Sequence, residues 1–321
     1  MEKSKLLLIG TIPPPIGGVS IHVFRLIEHL KAANKKYSFF DLKRQNLFQL
    51  IGSIKRHEII HLHSSNPFFR LGISIICFCF RKRLFSTIHG DLGRFSKLGN
   101  FFDMLSIRIV SYPILINNRS FQKSVKINSN SILISSFIPP LKIKELPDSV
   151  KHQLLDFSSK YVHVFSTNAS HLSYDVNKME VYGISFLVDF FKTYSENGLI
   201  ISDPSSEYVT YFESNRIKLP DNVLFITGEH DFYEILKMSD VFIRATTTDG
   251  DALSIREALY LGKDVICTDV VDRPQKTFLF KLNDNYSFQK AIEHVFNERD
   301  FSKSSYSEED SFSKLLKLYN L

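Results

Sequence analysis

Residues 240–269, DVFIRATTTDGDALSIREALYLGKDVICTD, decide the fold. DVFIRAT (240–246) is a short, nearly continuous apolar run, the pattern of a strand buried on both faces. A polar loop follows, carrying Thr246, Thr247, Thr248, Asp249, Gly250 and Asp251. Leu253 to Leu261 has a helical period, and DVICTD (264–269) is a second strand. Strand, loop, helix and strand within about thirty residues make a βαβ unit, whose strands are parallel and whose crossover is right-handed.

The pattern repeats outward in both directions. KLLLIG (5–10), YSFFDL (37–42), EIIHLH (58–63), RLFSTIHG (83–90), SYPILINN (111–118) and SILISSFIPP (131–140) are expected strands, the last stopped by Pro139-Pro140. A helix is expected over 19–33, where Val19, Val23, Leu26, Ile27 and Leu30 share a face. A linker is expected near 140–158. Beyond it come strands 161–167, 198–203 and 223–228, and helices 181–195, 231–238, 287–298 and 311–321. The fold class is α/β: two doubly wound domains, 1–150 and 151–321, facing each other across a cleft, with the last helix able to pack back on the first. Ligands of such sheets sit at the carboxyl ends of the strands.

The totals exclude several classes. The 321 residues are enough for two domains, and 44% hydrophobic with 23% charged is a globular mixture rather than a disordered one. Three cysteines do not make a disulfide framework. Cys77 and Cys79, in an apolar run, read as buried inert thiols. The longest apolar run, Leu71 to Phe80, is well short of the ~20 residues that span a bilayer. The opening apolar stretch leads straight into prolines, as a first strand does and a signal segment does not. The expected location is cytoplasmic. Charge is divided unevenly. Residues 1–150 carry 22 Lys/Arg against 8 Asp/Glu, and residues 151–321 carry 18 against 26. A basic half points to a nucleic acid or an anionic membrane surface. No nucleic-acid reading motif accompanies it, so no nucleic-acid partner is expected.

The residues suited to chemistry lie at expected strand ends. Gly17-Gly18, between the first strand and first helix, can bring backbone N–H groups to an anion or form a tight turn. The loop lacks the spacing of a dinucleotide site or a P-loop. His89-Gly90-Asp91 follows the fourth strand. His61 and His63 alternate on the third, sharing a face without a third metal ligand. In 240–274, loop N–H groups and a helix start can hold a diphosphate, and Arg244 can supply a permanent countercharge. Asp249 and Glu257 are acceptor-only groups suited to sugar and ribose hydroxyls, or else members of a solvated, capped helix start.

This segment resembles the signature of glycosyltransferase family 4. There an acidic residue, seven intervening residues and a Glu sit in E-G-[FY]-G-x-x-x-x-E-A, followed by G-x-P-V-I. Here the acids are Asp249 and Glu257, followed by Ala258, Gly262, Val265 and Ile266, with Asp264 where Pro is usual. The form R-x-T-x-x-D-G-D-x-x-S-x-R-E-A-L, with D-V-V-x-R-P after it, is similar to a subgroup from bacterial capsule and O-antigen clusters. PPPIGGVSIHVFRLIEHL and His89-Gly90 resemble that family's glycine loop and fourth-strand histidine. The resemblance implies a GT-B fold and retaining transfer from a nucleotide-diphosphate sugar, with UDP the commonest nucleotide, and no metal or cofactor. It implies catalytic roles for His89, Asp249 and Glu257. It implies donor contacts from Gly17, Gly18, Asn168, Arg244, Thr247, Gly250, Asp251, Ser254 and Arg273. The family's G-R-x-x-x-x-K-G, whose Arg and Lys grip the diphosphate, is absent. FSTNASHLSYDVNKMEVYG (165–183) stands there, with Asn168 near the missing Arg, so the diphosphate role passes to Arg244, with Arg256 and Arg273 behind it.

The basic first half interleaves Lys43, Arg44, Lys55, Arg56, Arg81, Lys82 and Arg83 with Phe48, Phe68, Phe69, Phe78 and Phe80. That fits peripheral docking to the inner face of a cell membrane carrying a polyprenyl-diphosphate acceptor, with an oligosaccharide the other acceptor expected. Two rival functions share the fold: a nucleotide-sugar epimerase, and a catalytically degenerate partner subunit of a membrane polysaccharide complex.

Overall fold

The computed structural model describes residues 5–14, 17–175, 177–297 and 310–321. The chain divides into two compact units, Met1–Leu141 with Glu309–Leu321, and Lys142–Glu308.

Unit 1 runs β1(Leu6–Gly10), α1(Gly18–Ala32), β2(Tyr37–Asp41), α2(Leu47–Arg56), β3(Ile59–His63), α3(Pro67–Cys79), β4(Arg83–Ile88), α4(Lys97–Ile109), β5(Tyr112–Leu115), α5(Asn118–Val125) and β6(Ile132–Leu133). Its six strands form one parallel sheet, ordered β2-β1-β3-β4-β5-β6. Every residue of β1 and β3 is buried, as a strand covered by helices on both faces requires. Leu6 and Leu8 point to Val23, Leu26 and Leu30 of α1. Leu7 and Ile9 point the other way, among Leu50 and Ile54 of α2 and Ile73 of α3. Gly10 allows α1 its close approach, since a Cβ there would sit 3.1 Å from Val23 Cγ2 and 3.3 Å from His63 Cβ.

The expected strand over 131–140 is only Ile132–Leu133. Beyond it the backbone turns to α1 for its partners. His22 Nδ1 donates to Ser136 O at 2.6 Å, Arg25 Nη1 to Ile138 O at 3.3 Å, and His29 Nε2 to Pro139 O at 2.8 Å. Carbonyls taken by side chains are lost to a sheet ladder.

The final helix, α12 (Ser311–Tyr319), belongs to this unit. Asp310 caps it, accepting from Phe312 N at 3.0 Å and Ser313 N at 3.1 Å. Phe312, Leu315 and Tyr319 enter the same core as Val23, Ile59 and Phe85. The Tyr319 hydroxyl meets His61 Nδ1.

Unit 2 runs α6(Asp148–Ser158), β7(Val164–Asn168), α7(Ile184–Phe191), β8(Gly198–Asp203), α8(Glu207–Ser214), β9(Val223–Thr227), α9(Phe232–Met238), β10(Val241–Arg244), α10(Leu253–Tyr260), β11(Asp264–Thr268), β12(Phe278–Phe280) and α11(Asn285–Asn297), the α11 and α12 labels following chain order. Its sheet is also parallel and six-stranded, ordered β12-β11-β10-β7-β8-β9. More than half of the expected linker is helix: Leu154 and Phe157 of α6 pack against Val164 and Ile200. The three-residue β12 carries too short a pattern to read from sequence, yet it completes the sheet edge beside β11. Glu298, at the end of the expected helix 287–298, lies outside the described residues. Of the two neighbouring thiols, Cys77 is buried, and burial pushes it up to about 12, whereas Cys79 is exposed. The expectation of two buried thiols fails because helical neighbours two residues apart face different ways.

Leu315→Ala should remove a fully buried side chain where α12 closes unit 1. It should cost about 2–4 kcal/mol and lower the urea midpoint of that unit, followed by circular dichroism. An unchanged midpoint would mean that α12 adds nothing to the core.

Candidate functional site

In unit 2 the carboxyl ends of β7, β10 and β11 converge on one carboxylate. Asp249, in the loop after β10, takes Arg244 Nε at 3.0 Å and Nη2 at 3.5 Å, Arg273 Nη1 at 3.0 Å, and the Thr246 hydroxyl at 3.2 Å. Arg244 ends β10, and its Nη1 also reaches Asn168 at the end of β7, at 3.2 Å from Oδ1 and 3.3 Å from the carbonyl. Arg273 is fixed by Thr268 at the end of β11: Nε donates to the carbonyl at 2.9 Å and Nη2 to the hydroxyl at 3.0 Å. The Arg244, Asp249 and Arg273 side chains are 12%, 9% and 3% exposed, so these pairs are screened little by water. Burial pushes the Asp249 carboxyl up, but the guanidiniums of Arg244 and Arg273 outweigh it and hold the group below the usual carboxylate range. Burial works against the Arg244 cation too, and Asp249 more than restores it. Two cations share one anion, which leaves one buried positive charge at the edge where doubly wound sheets take ligands.

The other residues expected in this site are placed differently. Asp251 turns to Arg256, accepting from its Nε at 2.6 Å. Ser254 and Glu257 are buried on α10, and Gly250 is half-buried in the loop. Thr247 N donates to Val181 O at 2.9 Å, while its hydroxyl is buried with no partner among the described residues. Thr246, read from the sequence only as part of the polar loop, and Thr268, which sequence reasoning did not single out, complete the network. The Tyr182 ring lies 5.3 Å from the Arg244 guanidinium carbon. Gly183 after it has φ +64, and a Cβ there would lie 2.4 Å from Ala245 O, so only glycine lets α7 start against the chain leaving β10.

In unit 1 the corresponding edge is built of neutral imidazoles. His61 and His63 share a face of β3, with rings 4.0 Å apart. His63 Nδ1 lies 3.1 Å from His89 Nε2, just beyond β4, and the His22 ring is 5.1 Å from that of His63 and 5.3 Å from that of His89. Burial first, then neighbouring imidazoles, holds His61, His63 and His89 well below the ordinary histidine range, and Arg70 and Arg94 press further on His89. Arg70 pairs with buried Asp103 and donates to Ser64 O at 2.7 Å, which pins the loop after β3. A Cβ on Gly90 would run into the Arg94 guanidinium. Gly17 is the N-cap of α1 in extended backbone, and a Cβ on Gly18 would meet nothing within 4 Å. Among the described residues no three of His, Cys, Asp or Glu are arranged to hold a metal ion.

The basic and aromatic residues of unit 1 do not form one patch. Lys55 lies 4.9 Å from the Phe80 ring, and Lys82 donates to Lys55 O; with exposed Phe78 and Arg81 they sit at the amino end of β4. Exposed Phe48, Phe68 and Leu98 stand on the first turns of α2, α3 and α4, with exposed Phe101 a turn further along α4, on the helices that leave the carboxyl end of the sheet. Phe69 is half-buried against the core. Lys43 is occupied with the carbonyls of Ile12 and Pro14.

No family model and no curated protein sequence matches the chain. Solved structures do. A glycosyltransferase from Rickettsia africae is similar over 99% of this chain and 98% of its own, with TM-score 0.71 and 14% identity. HepE of Anabaena, solved with UDP and glucose, is similar over 98% and 95%, with TM-score 0.68 and 14% identity. Sucrose-phosphate synthase of Thermosynechococcus elongatus is similar over 98% of both chains, with TM-score 0.68 and 13% identity. At such identities the likeness shows the fold, which is the GT-B fold expected from the sequence.

Neutral buried histidines make a prediction about pH. In the unfolded chain these groups protonate near their ordinary value of about 6.5, and in the fold only at lower pH. Between those limits the unfolded state binds more protons, so stability falls as pH drops, by up to about 1.4 kcal/mol per pH unit for each histidine. The melting temperature should decline from pH 7 to pH 5. A flat profile would mean that the imidazoles are already charged in the fold.

Proposed function

We propose that the chain is a retaining glycosyltransferase that moves a sugar from a nucleotide-diphosphate donor, with UDP the preferred nucleotide, to a lipid-linked or oligosaccharide acceptor in surface-polysaccharide assembly. The observation that carries this reading is the Arg244–Asp249–Arg273 cluster, with its surplus positive charge at the carboxyl edge of the unit 2 sheet. Support comes from the crystal structure of HepE with UDP and glucose, whose fold this chain shares.

In this reading the departing diphosphate takes up the surplus charge. Preorganised cations stabilise the negative charge that develops on the leaving group without reorganising as it forms. Asp249 serves by holding both guanidiniums, since its oxygens are already engaged by Arg244, Arg273 and Thr246. Glu257 on α10 takes the ribose or donor-sugar hydroxyls, and the buried Thr247 hydroxyl is a further ligand contact. Transfer requires no metal, because the arginines supply the countercharge. His89 and the Gly17-Gly18 turn serve the reacting groups from unit 1. The exposed apolar side chains at the carboxyl edge of that unit, Phe48, Phe68, Leu98 and Phe101, meet the lipid of the acceptor or the membrane around it. The association proposed is peripheral; no helix among the described residues is long and apolar enough to cross a membrane.

Calorimetry against UDP, GDP and their sugars, with and without EDTA, tests the reading. Saturable binding of one nucleotide, unaffected by EDTA and weakened about ten- to hundredfold in Arg273→Ala and Arg244→Ala, is expected. Unchanged affinity in both variants would remove the arginines from the donor site. Binding of no nucleotide would favour the partner-subunit function, and turnover of a sugar nucleotide without an acceptor would favour the epimerase.

Vesicle flotation tests the acceptor side. Wild-type protein should float with anionic vesicles, and Phe68→Ser with Phe101→Ser should reduce the floated fraction about tenfold. Equal flotation of the double variant would move the contact elsewhere.

A further inference from the structure

The four imidazoles of unit 1 are more than a buried polar cluster, because their hydrogen bonds fix where protons sit. A neutral imidazole has one donor nitrogen and one acceptor nitrogen. His22 shows the logic: Ser136 O can only accept, so the proton of His22 is on Nδ1.

His63 is set deeper. Its side chain is 1% exposed, its Nδ1 faces His89 Nε2 at 3.1 Å, and its Nε2 is buried with no partner among the described residues. Two arrangements of the pair are possible. If His63 carried its proton on Nε2, a buried N–H would be stranded without an acceptor. If it carries the proton on Nδ1, only a lone pair is stranded; the His63–His89 bond is made in either arrangement, with its direction reversed. Orphaned buried N–H groups are the rarer and costlier defect. His63 is therefore the donor and His89 Nε2 the acceptor. The remaining proton of His89 must then be on Nδ1, which has no partner among the described residues. His89 itself is half-buried at the carboxyl edge of the sheet.

The surroundings keep both rings uncharged. His22 and His61 stand against His63 on one side, and Arg70 and Arg94 bear on His89 on the other. A second proton on the pair would face two guanidiniums and two further imidazoles. The register of the sheet makes the arrangement rigid, since His63 pairs with Thr87 across β3 and β4, and His89 follows two residues later.

We propose that His63 is a positioning residue that locks His89 as a neutral Nδ1–H donor, aimed at a hydroxyl or phosphoryl oxygen of the substrate. The identity of that oxygen rests on the transferase reading; the proton arrangement does not. A neutral donor suits a hydroxyl that must be oriented without being deprotonated.

The test is long-range proton–nitrogen NMR of the full chain labelled with 15N-histidine at pH 7.5, with the His89 signals identified by their loss in His89→Ala. The expected wild-type spectrum has His89 protonated on Nδ1, the form imidazole side chains disfavour in water. In His63→Phe, His89 should revert to the Nε2–H form. A wild-type His89 protonated on Nε2 overturns the proposal, and so does an Nδ1–H form that persists in His63→Phe. Should that variant not fold, the wild-type spectrum still decides, and His63→Gln repeats the comparison. Failure of the transferase reading would appear separately, as absence of nucleotide binding with the tautomer unchanged.

Discussion

Asp249 is the point on which the carboxyl edge of the second unit's sheet depends. Three strands end there, and each commits a group to the same knot: Asn168 from β7, Arg244 from β10 and Thr268 from β11. Two guanidiniums cannot be buried side by side without an anion between them, and removing the only partner of a buried charge typically costs about 3–5 kcal/mol. The carboxylate therefore permits the cations to be there, and in doing so fixes their directions. Arg273 arrives from beyond β11, 24 residues along the chain from the acid it meets. A loop that would otherwise be free is tied to the sheet by that pair.

The first unit solves a similar problem with the opposite chemistry. The carboxyl edge of its sheet carries buried imidazoles in place of a knot of charge. Imidazoles can be buried neutral, whereas guanidiniums cannot. His22, His61, His63 and His89 pass hydrogen bonds among sheet, α1 and α12, and a buried ion pair nearby, Arg70 with Asp103, keeps its charges to itself, although Arg70 Nε and Asp103 Oδ2 find no partner among the described residues. The second unit thus ends its sheet in a knot of fixed charge, and the first ends its sheet in uncharged hydrogen-bonding rings.

Most of the architecture was legible because parallel strands buried on both faces write themselves as apolar runs. KLLLIG, EIIHLH and DVICTD gave β1, β3 and β11 to within a residue or two. What escaped had no such signature. Ser135 to Pro140 has the composition of a strand, but its carbonyls answer to three α1 side chains that lie more than a hundred residues away in sequence. The helix α6 was hidden in a stretch rich in Lys, Pro and Asp, whose two anchors, Leu154 and Phe157, are too few to show a period. In the site, residue types were readable and directions were not. Asp249 has the chemistry to accept from a sugar, and only the positions of Arg244, Arg273 and Thr246 reveal that its oxygens are already engaged.

Direction also accounts for the departure from the resembling family's pattern at the start of the second domain. The resemblance puts an arginine at the end of the first strand of that domain, and this chain has Asn168 there. An asparagine at that point cannot neutralise a phosphate. The cation stands on its neighbour in the sheet instead, because β10 lies beside β7 and ends in Arg244, whose guanidinium reaches across to Asn168 Oδ1 at 3.2 Å. The cation is displaced by one strand, about 4.8 Å at its base, and the length of the arginine side chain makes up the distance. A longer reach is entropically looser, since an arginine loses up to about 2 kcal/mol of rotamer freedom when it is fixed. Asp249 removes that freedom before any ligand arrives. Asn168 on β7 and Asp249 in the β10 loop therefore act together on one guanidinium, the first at its Nη1 and the second at its Nε and Nη2.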